Sequence, residues 1–161
     1  MSQRTITLGV LSDTHGNLHT RVVELFREAG VERILHAGDV GDYSVLGTLG
    51  SIAPVTAVRG NVDKYGRAAD LPLEVRLNIG GVSVYMIHIG AKPYIWLPGL
   101  PKPKPQVAIC GHSHVPLLET ASDVLFLNPG AAGTKPRFGR PLTAALLRIT
   151  EGQPEAEIIE L

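Results

Sequence analysis

A single cysteine, Cys110, occurs in this chain, which excludes an intrachain disulfide framework and fits a reducing compartment. An excess of one charge is missing too: fifteen Lys and Arg balance fifteen Asp and Glu. No global field therefore draws the protein to nucleic acid or to an anionic membrane, and any phosphate-bearing ligand has to be recognised locally. No apolar run is long enough to span a bilayer, and no basic leader precedes an apolar stretch of signal-peptide length. A cytoplasmic protein without a membrane partner is the expectation. Neither an internal repeat nor a linker is visible, and 161 residues fit one domain, 1–161. Homo-oligomerisation stays open.

What the chain does have is a supply of core residues, 44% hydrophobic against 19% charged, and many turn formers, with 18 Gly and 12 Pro. Thr5–Leu11 is β-branched and apolar and reads as a buried strand. Leu18, Val22, Leu25 and Phe26 follow at helical spacing, with Asn17 as the expected cap, His19 on the helix and exposed, and Gly30 as the stop. Arg33–Ala37 reads as a strand, Ser44 to Leu49 as a short helix, and Val55–Val58 as a third strand. Glu74–Asn78 and Val82–His88 flank Gly80-Gly81 and suggest a hairpin. Pro93–Pro105 holds five prolines without helical periodicity and reads as a loop. Gln106–Cys110, Val124–Leu127 and Thr143–Ile149 are further strands, with Glu155–Ile159 a weaker one. Strand–helix alternation early and hairpins later imply a layered α/β fold with mixed sheets.

The chemistry collects at strand ends. Asp13, Asp39, Asn61, His88 and the pair His112/His114 each lie at or just past the end of an expected strand, where the loops of layered α/β folds converge into sites. Taken singly, each has a plain structural reading. Asp13 can cap a turn beside a solvated His15, Gly38-Asp39 and Gly60-Asn61 are ordinary turn pairs, and His88 can be a core histidine. Gly111-His112-Ser113-His114 is stronger, because alternate residues converge and the glycine permits close approach. Together and in this order, carboxylates, an amide and imidazoles without thiolates point to divalent ions such as Mn, Fe, Zn or Ni. Seven donors exceed one tetrahedral ion and suit two ions sharing a carboxylate, ~3.5–4 Å apart.

Asp13-Thr14-His15-Gly16, Gly38-Asp39, Gly60-Asn61-Val62-Asp63 and Gly111-His112-Ser113-His114 resemble the motifs of the calcineurin-like metallophosphoesterases. The likeness is greatest to the superfamily's small bacterial and archaeal phosphodiesterases, and it runs from Ile6 to Leu147 through Asn128-Pro129-Gly130. It implies a calcineurin-like metallophosphoesterase sandwich of two mixed β-sheets flanked by helices. It also implies one metal on Asp13, His15, Asp39 and His114, and a second on Asp39, Asn61, His88 and His112. Manganese is the first choice of metal. The implied nucleophile is a hydroxide bridging the ions, its pKa lowered toward ~7, which attacks the phosphorus of a small phosphodiester in line. Asp39, Asn61 and His88 are the residues assigned to catalysis.

Two departures bear on the substrate. Many relatives carry a histidine after Gly-Asn that assists the leaving group; here Val62 stands there, which favours diesters with good leaving groups over monoesters or nucleotides. Relatives often read His-Gly-His or His-Gly-Asp where this chain has His88-Ile89-Gly90-Ala91, and the Pro93–Pro105 loop replaces the helix usual before Gly-His-x-His. Arg59, Arg137 and Arg140 are candidate phosphate contacts, and Asn128 is expected to order its loop beside the site. Lys64 reads as a surface charge. Asp63 either turns outward or supports Asn61, and His36 and Cys110 read as core residues. Tyr94 and Trp96 read as a substrate wall, a partner surface or packing on a sheet edge. The alternative from another class is an assembly scaffold, as in a eukaryotic retromer subunit of this fold, but there the loss of metal ligands would be expected.

Overall fold

The computed structural model describes residues 3–137 and 139–161. Among them, ten strands form two five-stranded sheets. The first is ordered β10-β9-β1-β2-β3, built from Thr5–Leu11 (β1), Arg33–His36 (β2), Val55–Ala57 (β3), Thr143–Thr150 (β9) and Gln153–Glu160 (β10). The second is ordered β4-β5-β6-β8-β7, from Glu74–Ile79 (β4), Val82–Ile87 (β5), Val107–Ile109 (β6), Leu117–Ala121 (β7) and Val124–Asn128 (β8). Both sheets are mixed. In the first, β1, β2 and β3 run parallel while β9 is antiparallel to β1 and β10. In the second, β5, β6 and β8 are parallel and the edges β4 and β7 antiparallel.

The alternation of side chains decides what each sheet buries. Along β4, Val75, Leu77 and Ile79 turn inward while Glu74, Arg76 and Asn78 turn to water, as a half-solvated edge strand requires. The central strands are buried on both faces. Leu8 and Val10 of β1 meet Val84, Met86, Val107, Ile109 and Leu127 between the sheets. Each fully buried aliphatic side chain there contributes about 1.5–3 kcal/mol. Helices α1, Thr20–Glu28, and α2, Ser44–Gly50, cover the outer face of the first sheet through Val22, Leu25, Phe26, Val45 and Leu49. Phe26 lies flat over Gly9, where an added Cβ would stand 2.6 Å from the ring.

Three expectations need correction. The helix after Asn17 starts at Thr20, and its N-cap is His19, half-buried, whose Nδ1 accepts the Arg21 N–H at 3.1 Å. Asn17 lies two residues too early to cap it. The segment read as a loop, Pro93–Pro105, opens with a short helix, Pro93–Trp96 (α3), and a 3-10 turn, Leu97–Gly99. Proline at the first helical position lacks an N–H that would have no partner anyway, so it starts a turn rather than preventing one. Trp96 and Leu97 then pack with Tyr85, Leu100 and Phe126 over the outer face of the second sheet. Tyr94, by contrast, is exposed. Strand β7 and the 3-10 turn Gly66–Asp70 were not anticipated. Among the described residues no helix is long and apolar enough to cross a membrane.

Candidate metal centre

Parallel pairing aligns the C-terminal ends of β1, β2 and β3 in one sheet and of β5, β6 and β8 in the other. The donor-bearing turns follow those ends. Asp13, His15, Asp39, His112 and His114, five of the seven expected donors, have φ of 55°, 47°, 54°, 70° and 60°, the left-handed region. Asp and His tolerate it better than most residues, yet each such residue stores of order 1–3 kcal/mol that surrounding structure must hold. It is held by rungs between turns: Asp13 N–H to Gly38 O, His15 N–H to Asp39 O and Gly16 N–H to Val40 O, at 3.0, 3.0 and 2.7 Å. The buried Asp63 carboxylate accepts the N–H groups of Val40, Gly41 and Gly60 at 3.2, 2.9 and 2.8 Å, tying the Asp39 turn to the Asn61 turn. The turns touch so closely that Cβ atoms at Gly60 and Gly111 would stand 2.1 Å from Asp39 and 2.0 Å from Ser12.

Within this frame the side chains form two groups, Asp13/His15/His114 and Asp39/His88/His112, each with its ligand atoms within 4.8 Å of one another. His15 Nε2 lies 3.3 Å from His114 Nε2, and His114 Nε2 3.3 Å from Asp13 Oδ1. Asp39 joins the groups through one oxygen: Oδ2 is 3.6 Å from His15 Nε2 and 3.3 Å from His88 Nε2. Its other oxygen accepts the Val62 N–H at 3.0 Å. Asn61 Oδ1 sits 3.0 Å from both His88 Nε2 and His112 Nδ1. The seven expected donors are thus brought together.

Two features test whether a cation fits. His88 Nδ1 is 2.7 Å from Ala37 O, so a hydrogen on Nδ1 leaves Nε2 as a lone pair facing the oxygens of Asp39 and Asn61. Lone pair opposes lone pair unless a proton or a metal lies between. Asp13 is buried; Oδ2 accepts the His112 N–H at 3.0 Å, while Oδ1 has no hydrogen-bond partner among the described residues. A buried carboxylate oxygen left unsatisfied is unfavourable by about 1–3 kcal/mol, and a cation beside His114 would relieve it. The donors fit divalent metal ions.

Burial and neighbouring charge act against each other on these groups, with different outcomes. Burial opposes a charge on His88, but Asp39, Asp13 and the Ala37 carbonyl outweigh it and raise its pKa. Burial likewise works against the Asp39 carboxylate, and the His88 contact and the Val62 N–H overcome it, so its pKa falls. Burial lowers His15; Asp39 and Asp13 resist, while Arg137 and His114 reinforce the fall. Burial raises the Cys110 thiol to about 11, which leaves it an inert core group.

The remaining expected contacts divide. Asn128 gives its amide to the His112–His114 turn: Nδ2 donates to Gly111 O and Ser113 Oγ at 3.0 and 3.1 Å, and Oδ1 accepts from Gly130 N–H at 3.0 Å. It orders the loop, and it also lines a cleft beside His112. Arg140 donates to Ser113 O at 2.6 Å. Arg137 lines a small polar pocket with Asp13, His15, His114 and Lys135, and Arg59 lines a larger cleft beside Asn61 and His88. Lys135, Leu73 and Ala69 were missed; no local pattern marks them, because only tertiary folding brings them to the site.

His36 is fully buried outside the cluster. Its Nδ1 accepts the Gly38 N–H at 3.1 Å, and Nε2 meets Thr14 Oγ1 at 3.0 Å, which in turn donates to Val40 O at 2.9 Å. Burial pushes its pKa from 6.5 down to about 4. Between those values the unfolded chain takes up a proton that the folded chain refuses, so the contribution to stability is complete above pH 6.5 and lost as pH falls through about 4. At ~1.4 kcal/mol per pH unit, metal-free protein should lose about 3 kcal/mol to this group. Urea unfolding of the wild type and His36→Gln between pH 7 and pH 4.5 checks it; an unchanged pH slope in the variant would refute it.

A sandwich of mixed sheets with carboxylate, amide and imidazole donors at its strand ends is the architecture of a metallophosphoesterase domain. The chain belongs to the calcineurin-like phosphoesterase superfamily, whose domain model matches residues 6–152. It is 35% identical to a probable metallophosphoesterase of Methanocaldococcus jannaschii, over 98% of this chain and 82% of that one. Among solved structures, a novel archaeal phosphodiesterase superposes with a TM-score of 0.77 at 22% identity, covering 96% of this chain and all of the other (100%). Vacuolar Protein Sorting 29 from Cryptosporidium parvum gives 0.76 at 18%, covering 98% of both chains. At those identities the two structures show a shared fold.

Proposed function

We propose that this protein is a phosphodiesterase acting with two divalent cations, manganese foremost, on a small phosphodiester. The observation that carries the reading is the pair of donor groups joined by Asp39 Oδ2, with Asp13 Oδ1 buried and unsatisfied among the described residues. Asp13, His15, Asp39 and His114 would hold one ion, and Asp39, Asn61, His88 and His112 the other. Bound there, the ions supply an activated water for in-line attack and positive charge against the phosphoryl oxygens.

The chain's own residues do the rest. The Ala37 carbonyl fixes the His88 ring so that Nε2 faces inward. Asp63 holds the Asn61 turn against the Asp39 turn. Val62 donates only its backbone N–H, and that goes to Asp39. Its side chain has no proton for a departing alkoxide, so an ester with a poor leaving group gains nothing at this position. A diester with a good leaving group needs no such proton. A scaffold role rests on likeness of fold to Vacuolar Protein Sorting 29 alone; it gives the orphaned Asp13 oxygen no purpose.

Chelated protein reconstituted with Mn, Fe, Zn or Ni should cleave bis(p-nitrophenyl) phosphate faster than p-nitrophenyl phosphate. No metal uptake and no diester cleavage with any of the four would overturn the proposal. Preference for the monoester would overturn the role given to Val62.

A further inference from the structure

One cleft shares two side chains with the donor set and combines Arg59, Lys64 and Asp63 with a larger aliphatic surface. It holds about 560 Å3, within the ~300–1,000 Å3 usual for small-molecule sites. Asn61 and His88 line it together with Ile87, Ile89, Leu73 and Ala69. Leu73 and Ile89 are 58% and 54% exposed, large aliphatic side chains left in water beside the candidate metal centre. Single exposed apolar residues are ordinary, but a set converging on a concave site is not.

The wall is fixed in advance. Arg59 Nη1 donates to Ala69 O at 2.9 Å, and the Arg59 N–H to Pro72 O at 2.8 Å. These bonds fasten the segment carrying Leu73 to the turn carrying Asn61. On the other side of the donor set, the smaller pocket of about 200 Å3 beside His15 and His114 is lined by Thr134, Lys135 and Arg137. The centre is therefore flanked asymmetrically, by a mainly aliphatic cleft that also holds Arg59 and Lys64 at its Asn61–His88 side and a polar pocket at its His15–His114 side. A phosphodiester presents two substituents on one phosphorus. Of these two sites the larger cleft has the room and the surface for an apolar ring, as does a third cleft of about 300 Å3 beside His112, lined by Val115 and Leu117, which the Leu73→Ser/Ile89→Ser variant distinguishes.

Resting on the phosphodiesterase reading above, the geometry points to the Leu73–Ile89 cleft as the subsite for a ring-bearing organic arm of the diester, aryl or nucleobase. Leu73 and Ile89 decide specificity there, and Arg59 acts by positioning the wall.

The test is binding, separate from turnover. Zinc-loaded protein is titrated with methylphosphonate, phenylphosphonate and thymidine 5′-monophosphate, followed by calorimetry and by backbone amide shifts. At least one ring-bearing ligand should bind tenfold or more tightly than methylphosphonate, with shifts at Leu73 and Ile89; which ring binds better tells aryl from nucleobase. The Leu73→Ser/Ile89→Ser variant, altered only at exposed positions, should bring ring-bearing ligands down to the methylphosphonate level. Equal affinity for all three ligands, or a ring preference surviving in the variant, would overturn the inference. Ring binding with the expected shifts in a protein that cleaves no diester would uphold the cleft and sink the function. Diester cleavage with ring-blind binding would do the reverse.

Discussion

Asp39→Asn should leave the fold standing and remove turnover. The substitution keeps one side-chain oxygen, which suffices for the bond Oδ1 now accepts from the Val62 N–H. What replaces Oδ2 is an NH2 group, a donor, 3.6 and 3.3 Å from His15 Nε2 and His88 Nε2. Asp13 Oδ1 also faces these imidazoles but lies farther off, at 3.8 and 3.9 Å, so both lose their nearer shared carboxylate oxygen and gain a hydrogen-bond donor in its place. Loss of one preorganised electrostatic contact typically lowers turnover about 10^2–10^3-fold, and here the lost group serves two ions. Diester hydrolysis should fall by at least that factor, and metal analysis after gel filtration should drop from two equivalents per chain to one or fewer. Far-ultraviolet circular dichroism should be unchanged. A variant that keeps two equivalents and wild-type turnover would show that Asp39 joins nothing.

The donors were legible in the sequence because they lie in short motifs at strand ends, and the strands themselves are apolar runs closed by glycine. That pattern is local. Strand β7 is not: its residues are exposed or half-exposed along Leu117–Ala121, so no alternation marks it, and only its pairing with β8 across the Ser122-Asp123 turn makes it a strand. The Pro93–Pro105 segment misled for another reason. Its prolines sit where turns begin, and what orders the chain is Trp96 against Tyr85 and Phe126, contacts with residues 11 and 30 positions away in sequence. His19 took the cap because its ring nitrogen reaches the Arg21 N–H. The aliphatic cleft stayed invisible because Leu73 and Ile89 come from separate elements, and exposure is a property of the fold.

Asp13→Asn offers an effect of opposite sign in the metal-free and metal-loaded protein. Among the described residues Asp13 Oδ1 is buried without a hydrogen-bond partner, 3.3 Å from His114 Nε2, and Oδ2 accepts the His112 N–H. An asparagine keeps the second contact through its oxygen and places an N–H where the orphaned oxygen stood, facing a histidine nitrogen that can accept it. Relief of an unsatisfied buried group amounts to about 1–2 kcal/mol, which for a chain of this size raises the thermal midpoint by roughly 2–8 °C. The same change removes an anionic donor from the Asp13/His15/His114 group. Wild-type protein at a metal concentration a hundred times its Kd should gain about 2.7 kcal/mol; the variant should gain much less. Thermal unfolding in chelator and in manganese should therefore reverse the ranking, with Asp13→Asn the more stable protein without metal and the less stable with it. If the variant is less stable in both conditions, Asp13 Oδ1 is not a cation ligand, and strain in the Asp13 turn, with its φ of 55°, is the better account of that residue.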